Sequence, residues 1–236
     1  MISELAHLWC VPMLLPLGRS LLPEHLVDRK RPHLSSQVLL PLSGHDFESL
    51  ISDWFGAKFG VAVDSCTHGV ELCLRLKGVQ KISIPKRTYL SIPFLSHKLN
   101  IPLEWRDEEW KDYYEISNSG IYDAAVLWRE NSYIPNSLMC LSFQFQKHLS
   151  LGRGGLILTD SKEHAHALCR MAYDGRIPNV PWKEQYMDIQ TIGYHYYMTP
   201  ETAQLGIKKF NDSLYKEPRK WTIEDWPDLS RMEIFR

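Results

Sequence analysis

Short apolar runs bounded by turn residues alternate along this chain with segments whose apolar residues fall three and four apart. That alternation constrains the fold more than any other feature. "GHDFESLISDWF" places Phe47, Leu50, Ile51, Trp54 and Phe55 on one face of a helix. "VAVDS" (61–65) reads as a short buried strand, and "THGVELCLRLKG" (67–78) as a helix closed by Gly78. "KISIP" (81–85) is the next strand. "YLSIPFLSHKLN" (89–100) is expected to be helical in spite of Pro93. "IPLEW" (101–105), "GIYDAAVLW" (120–128), "LMCLSF" (138–143) and "GGLILTD" (154–160) read as further strands. Ser161 then caps a helix with Ala165, Leu168, Cys169 and Ala172 on one face. Thr199 caps the last helix, with Pro200 in its first turn and Ala203, Ile207, Phe210 and Leu214 along its stripe. Strands alternating with helices predict an α/β domain, a mainly parallel β-sheet flanked by helices. Ligands of such sheets bind beyond the carboxyl ends of the strands, so residues 65–67, the loop after Ile84 and Asp123 are expected along one edge.

The pattern occupies residues 43–216. Residues 1–42 are rich in Leu and Pro without a period and read as an arm or loop region, and 217–236 as a short, poorly periodic tail. With 236 residues, 44% hydrophobic and 23% charged, the chain can bury a sizeable core. Its net charge of −1 supplies no general field toward nucleic acid or anionic membrane, and no basic run stands out. "LWCVPMLLPLG" is interrupted by Pro12 and Pro16, is too short to span a bilayer and lacks a basic flank. Cys10, Cys66, Cys73, Cys140 and Cys169 show no C-x-x-C spacing, which argues against zinc and against a disulfide framework. A soluble cytoplasmic protein with no metal, no membrane contact and no nucleic-acid partner is the expectation.

Three stretches carry candidate chemistry. In "VAVDSCTHGVEL" a strand runs through a Ser/Thr turn into a helix start, where free N–H groups and the helix dipole favour an anion. Ser65, Thr67 and the His68 backbone either hold a phosphate there or simply cap a packed helix. In "GIYDAAVLW", Asp123 ends a strand in apolar company and needs a cation or hydrogen bonds. It either caps a loop or pairs with a protonated ring nitrogen. In "SFQFQKHLSLGRGG", Lys147 sits between two apolar runs. It either snorkels to water or, desolvated, acts as a nucleophilic amine, with Ser142 within reach of a phosphate. "GRGG" is no dinucleotide fingerprint, because a strand and not a helix follows it. Trp105, Trp110, Tyr113 and Tyr114 read as a packed connection more readily than as a carbohydrate surface.

An anion-binding helix start, an aromatic after the next strand (Tyr89), a strand-end acid and a downstream lysine are together the parts that hold pyridoxal 5'-phosphate. In that order the chain resembles the DegT/DnrJ-type sugar aminotransferases, pyridoxal-phosphate enzymes of the aspartate-aminotransferase fold type I. The resemblance spans about residues 47–214, the family's large domain, in a compact version without the usual C-terminal small domain. "FGAKFGVAVDSCTHGVEL", "IPKRTYLSIP", "YDAA", "CLSFQFQKHLSLGRGGLILTD", "AYDGR" and "IGYHYYMTPETAQLGI" carry it. It implies Lys147 as Schiff-base lysine and proton shuttle, Asp123 facing the pyridine nitrogen, and Tyr89 stacked on the ring. Ser65, Cys66, Thr67, His68 and Ser142 would lie about the phosphate, and His195 would stand where the family reaches a neighbouring subunit's phosphate. It further implies a homodimer, a glutamate-like amino donor and a keto sugar nucleotide acceptor. The chain departs from the family at Cys66 (glycine there), Val126 (polar), His195 (asparagine) and Tyr197 (arginine). A dehydratase of the same cofactor, or a degenerate fold kept as an assembly module, are the other readings.

Overall fold

The computed structural model describes residues 44–178 and 180–236, so the expectations for 1–42 lie outside the described residues. The helices are α1 (Gly44–Phe55), α2 (Cys66–Leu76), α3 (Phe94–Leu99), α4 (Lys162–Ala172), α5 (Trp182–Gln185) and α6 (Pro200–Leu214). The strands are β1 (Phe59–Val63), β2 (Ile82–Pro85), β3 (Leu103–Arg106), β4 (Tyr114–Ile116), β5 (Ile121–Asp123), β6 (Leu138–Ser142) and β7 (Gly155–Thr159).

Five strands form one sheet in the order β1-β7-β6-β5-β4, and β2 and β3 form a separate parallel pair. The large sheet is mixed and not mainly parallel: β5 and β6 run parallel, whereas β1–β7, β6–β7 and β4–β5 are antiparallel. The reason lies in the connections. A parallel pair needs a long crossover. β4 turns straight into β5 through Ser117, Asn118 and Gly120, all at positive φ, and β6 reaches β7 without an intervening helix. β1, β5 and β6 nevertheless point the same way, so their carboxyl ends share one edge with the start of β7.

Side chains alternate across the sheet as strand geometry requires. Val61, Val63, Cys140 and Ile157 face a layer made by α2 and α4, with Val70, Cys73, Ala165 and Leu168. Met139, Leu141, Leu156 and Leu158 face the opposite layer, where Phe47, Ile51 and Phe55 of α1 meet Phe210 of α6. The caps fall as expected: the side chains of Ser65, Ser161 and Thr199 accept from the amides of His68, His164 and Thr202. The helix around Pro93 begins only after it, with Pro93 as N-cap. The strand expected over 120–128 stops at Asp123, because its Oδ1 accepts the Ala125 amide at 3.0 Å and turns the chain. Among the described residues Cys66, Cys73 and Cys140 are free and buried. Among the described residues no helix is long and apolar enough to cross a membrane.

Candidate active site

A cavity of about 160 Å³ opens at the shared strand edge. Ser65, Cys66, Thr67, Tyr89, Asp123, Ser142 and Lys147, all singled out from the sequence, line it. They arrive from the ends of β1, β2, β5 and β6, which is why residues so far apart in the chain meet there.

One end is made of hydroxyls and the start of α2. Ser65 Oγ accepts the His68 amide at 3.2 Å, and Thr67 Oγ1 lies 2.6 Å from Ser91 Oγ. The His68 amide meets the cap in this structure. The N–H groups that α2 leaves unused at its first turn are those of Cys66 and Thr67. β7 presses against this turn at Gly155, where a Cβ would lie 2.5 Å from Cys66 N and 2.6 Å from the Ser65 carbonyl carbon. Only glycine permits that approach.

At the end of β5, Asp123 is 5% exposed. Tyr114 Oη donates to its Oδ2 at 2.8 Å and in turn meets Thr88 Oγ1 at 2.5 Å. Burial pushes the Asp123 carboxyl above its ordinary value, against the opposing pull of Tyr114, the Ala125 amide and the charge of Lys147. Burial likewise lowers Lys147 from the usual lysine range; the charges of Asp123 and Cys66 oppose that shift and Arg219 adds to it. The Lys147 Nζ lies over the rings of Trp221 and Trp226. Tyr89 is 52% exposed and meets Trp226 edge-on.

Two expected residues do not line the cavity. The His68 ring stacks on Tyr196 at 3.7 Å, with Nδ1 2.6 Å from Asp64 Oδ1. His195 is exposed, adopts φ 42° and pairs with Asp174 at 3.1 Å. Val126 lines a small neighbouring recess with Trp128, Pro218 and Trp221.

Sequence reading missed Ser91, Gln144, Gln146 and Arg153, which complete the cavity wall. Ser91 stands two residues after Tyr89 in the same loop, a usable signal. Arg153 drew notice only as part of a failed glycine motif, and Tyr114 only as packing, which it also does, 5.0 Å from Trp110. A larger cavity, about 290 Å³, lies by Glu48, Val61, Ala172 and Tyr197 and gathers none of the expected site residues.

The fold is that of the fold-type-I pyridoxal-phosphate-dependent transferases. Residues 135–216 match the DegT/DnrJ/EryC1/StrS aminotransferase family, the one the sequence motifs resemble. An uncharacterised protein of Methanocaldococcus jannaschii is 22% identical over 228 residues, covering 75% of this chain and 59% of that protein. The sugar aminotransferase CalS13 of Micromonospora echinospora superposes with a TM-score of 0.60 at 11% identity, over 72% of this chain and 60% of the other. The E. coli GDP-4-keto-6-deoxy-D-mannose-3-dehydratase with bound hydrated PLP does so with 0.56 at 13%, over 72% and 60%. The chain thus spans less than two thirds of the length of these relatives.

Proposed function

We propose that this chain carries a pyridoxal 5'-phosphate-dependent aminotransferase site. It would take an amino group from a glutamate-like amino acid and pass it to a keto sugar nucleotide. The convergence of Lys147, Asp123, Tyr89 and a hydroxyl-lined helix start in one cavity carries this reading. The residues fit the cofactor: hydroxyls and unused amides at one end suit a phosphate, and a buried acid at the other suits a ring nitrogen. The Gly155 approach keeps the helix start packed against β7.

When bound, the cofactor supplies an electrophilic aldehyde and a ring that accepts electrons. Lys147 would anchor it covalently, and burial, by lowering its pKa, favours the neutral amine that can take or give a proton. Asp123 would hold the ring-nitrogen proton with the lone pairs that Tyr114 and Ala125 leave free. Tyr89 would lie against the ring, and Ser65, Thr67 and Ser142 would bind the phosphate with the first-turn amides of α2. Cys66 would contribute its amide, its Sγ being turned to the Cys140 carbonyl at 3.6 Å. His195, outside this cavity, would serve a neighbouring subunit in a cytoplasmic homodimer.

The dehydratase reading has less support. His148, the histidine nearest the lysine in sequence, points its Nε2 to the Ser213 carbonyl of α6 at 2.6 Å. The degenerate-module reading does not account for a lysine and an acid kept in one cavity.

The test is an absorbance spectrum with added pyridoxal phosphate, before and after borohydride. We expect a visible band that borohydride fixes onto Lys147 and that Lys147→Ala lacks. An identical band in Lys147→Ala, or none in the wild type, would overturn the reading.

A further inference from the structure

Residues 217–236 take no part in that reading, yet they cover its lysine. Lys147 Nζ lies 4.6 Å from the ring centre of Trp221 and 5.7 Å from that of Trp226. The two indoles stack with centroids 5.3 Å apart and planes 20° from parallel. The Arg219 guanidinium lies over Trp221 at 3.8 Å, and its Nη2 donates to Asp225 Oδ1 at 2.6 Å.

This segment is fastened to the site and does not merely lie on it. Arg87 Nη1 donates to the Trp226 carbonyl at 2.7 Å, and the Leu229 amide donates to the Lys86 carbonyl at 2.9 Å. Arg87 and Asp228 form a β-bridge. The Trp226 ring is buried and meets Trp110 at 5.7 Å and Tyr89 at 6.5 Å. The tail therefore joins the loop that carries Tyr89 to the loop that carries Lys147.

Resting on the cofactor reading above, we infer that Trp221 and Trp226 are positioning residues of the active site, an aromatic wall that holds the Lys147 amine at the cavity and screens it from water. Lysine has a flexible stem and normally sends its charge to solvent. An indole face attracts an ammonium more strongly where water is excluded. Fixing that stem before the reaction removes an ordering cost from it. The other charged and titratable groups facing the amine are Asp123 of β5, Cys66 of α2 and Arg219 of the tail itself.

The experiment is competitive reductive methylation of the full chain before any cofactor is added, followed across pH by mass spectrometry of the Lys147 peptide. The exposed Lys58 and Lys183 are the references. In Trp221→Ala, the limiting Lys147 labelling rate at high pH, where the amine is neutral in every variant, should rise about tenfold relative to the references as the stem is released. Its pH midpoint should move up toward that of an ordinary lysine as water returns. Trp221→Phe should keep both near the wild type. Trp226 is buried, so Trp221, only half-buried, carries the test should Trp226→Ala fail to fold. Wild-type rate and midpoint in Trp221→Ala would overturn the wall. A labelling response in a chain that gives no cofactor band would leave the wall standing and sink the cofactor reading instead.

Discussion

Asp123 and Glu48 are both buried carboxylic acids, 5% and 7% exposed, and the protein provides for them differently. Asp123 has a donor on each oxygen and feels the charge of Lys147. Among the described residues the Glu48 carboxyl has a single partner, the Ala62 amide at 2.7 Å, and its Oε2 has none. Burial raises its pKa to about 8, the one hydrogen bond opposing. Glu48 is spent on the outer amide of an edge strand, which must be satisfied by something. Its neutral form is the cheaper one to bury. Asp123 keeps donors and spare lone pairs at a cavity wall, which under the proposed function face a protonated ring nitrogen. Buried acids with raised pKa values thus divide by what surrounds the second oxygen, not by the shift.

The sharpest way to break this comparison is to neutralise each acid. Asp123→Asn should slow the amino-donor half-reaction by roughly 10²–10⁴-fold, with circular dichroism unchanged. Glu48→Gln should leave that rate alone. Equal rates in all three proteins, measured by single-turnover absorbance, would erase the distinction.

Stability against pH separates the acids next. The folded Glu48 keeps its proton to about pH 8, whereas the unfolded chain releases it near 4.5. Between those values the unfolded state binds fewer protons, so stability is full below about pH 4.5 and falls as pH rises through 8. That difference in proton affinity is worth on the order of a few kcal/mol. Glu48→Gln should flatten this slope in urea titrations taken from pH 5 to 9. An unchanged slope would mean that the carboxyl is ionised in place.

The smallest effect is expected at Tyr114→Phe, which removes the donor to Asp123 Oδ2 and leaves Thr88 without that partner. It should cost about 1–3 kcal/mol of stability and weaken cofactor binding, read by fluorescence titration. The same substitution should not alter the pH slope that Glu48 sets.

Much of this was legible in sequence because the decisive residues sit where local signals change. Ser65, Asp123 and Ser142 each stand where an apolar run ends, although along the sheet edge Ser142 of β6 lies between Ser65, after β1, and Asp123 of β5. Tyr114 was not legible as the partner of Asp123: the pairing depends on strands of three residues, too short to show a period. Strand direction was misread because apolar alternation is the same in either direction, and only the connection decides it. Trp221 and Trp226 reach Lys147 through tertiary packing of a segment with no periodicity. Glu48 looks like an ordinary polar helix position until β1 brings Ala62 against it.

The pairing of β1 with β7 also sets when this site can exist. Phe59 is matched to Thr159 and Val63 to Gly155, partners from opposite parts of the described chain. As the polypeptide leaves the ribosome, α1 and β1 emerge long before β7 and α6, which cover Phe47, Ile51 and Val61. Contacts of such sequence separation form slowly and leave apolar surface open meanwhile. The cradle at Ser65 closes only once Gly155 has been made, and the tail that packs over Lys147 is made later still. Apolar faces of α1 and β1 therefore stay open until β7 and α6 have been made, and the cavity at the strand edge forms only after them.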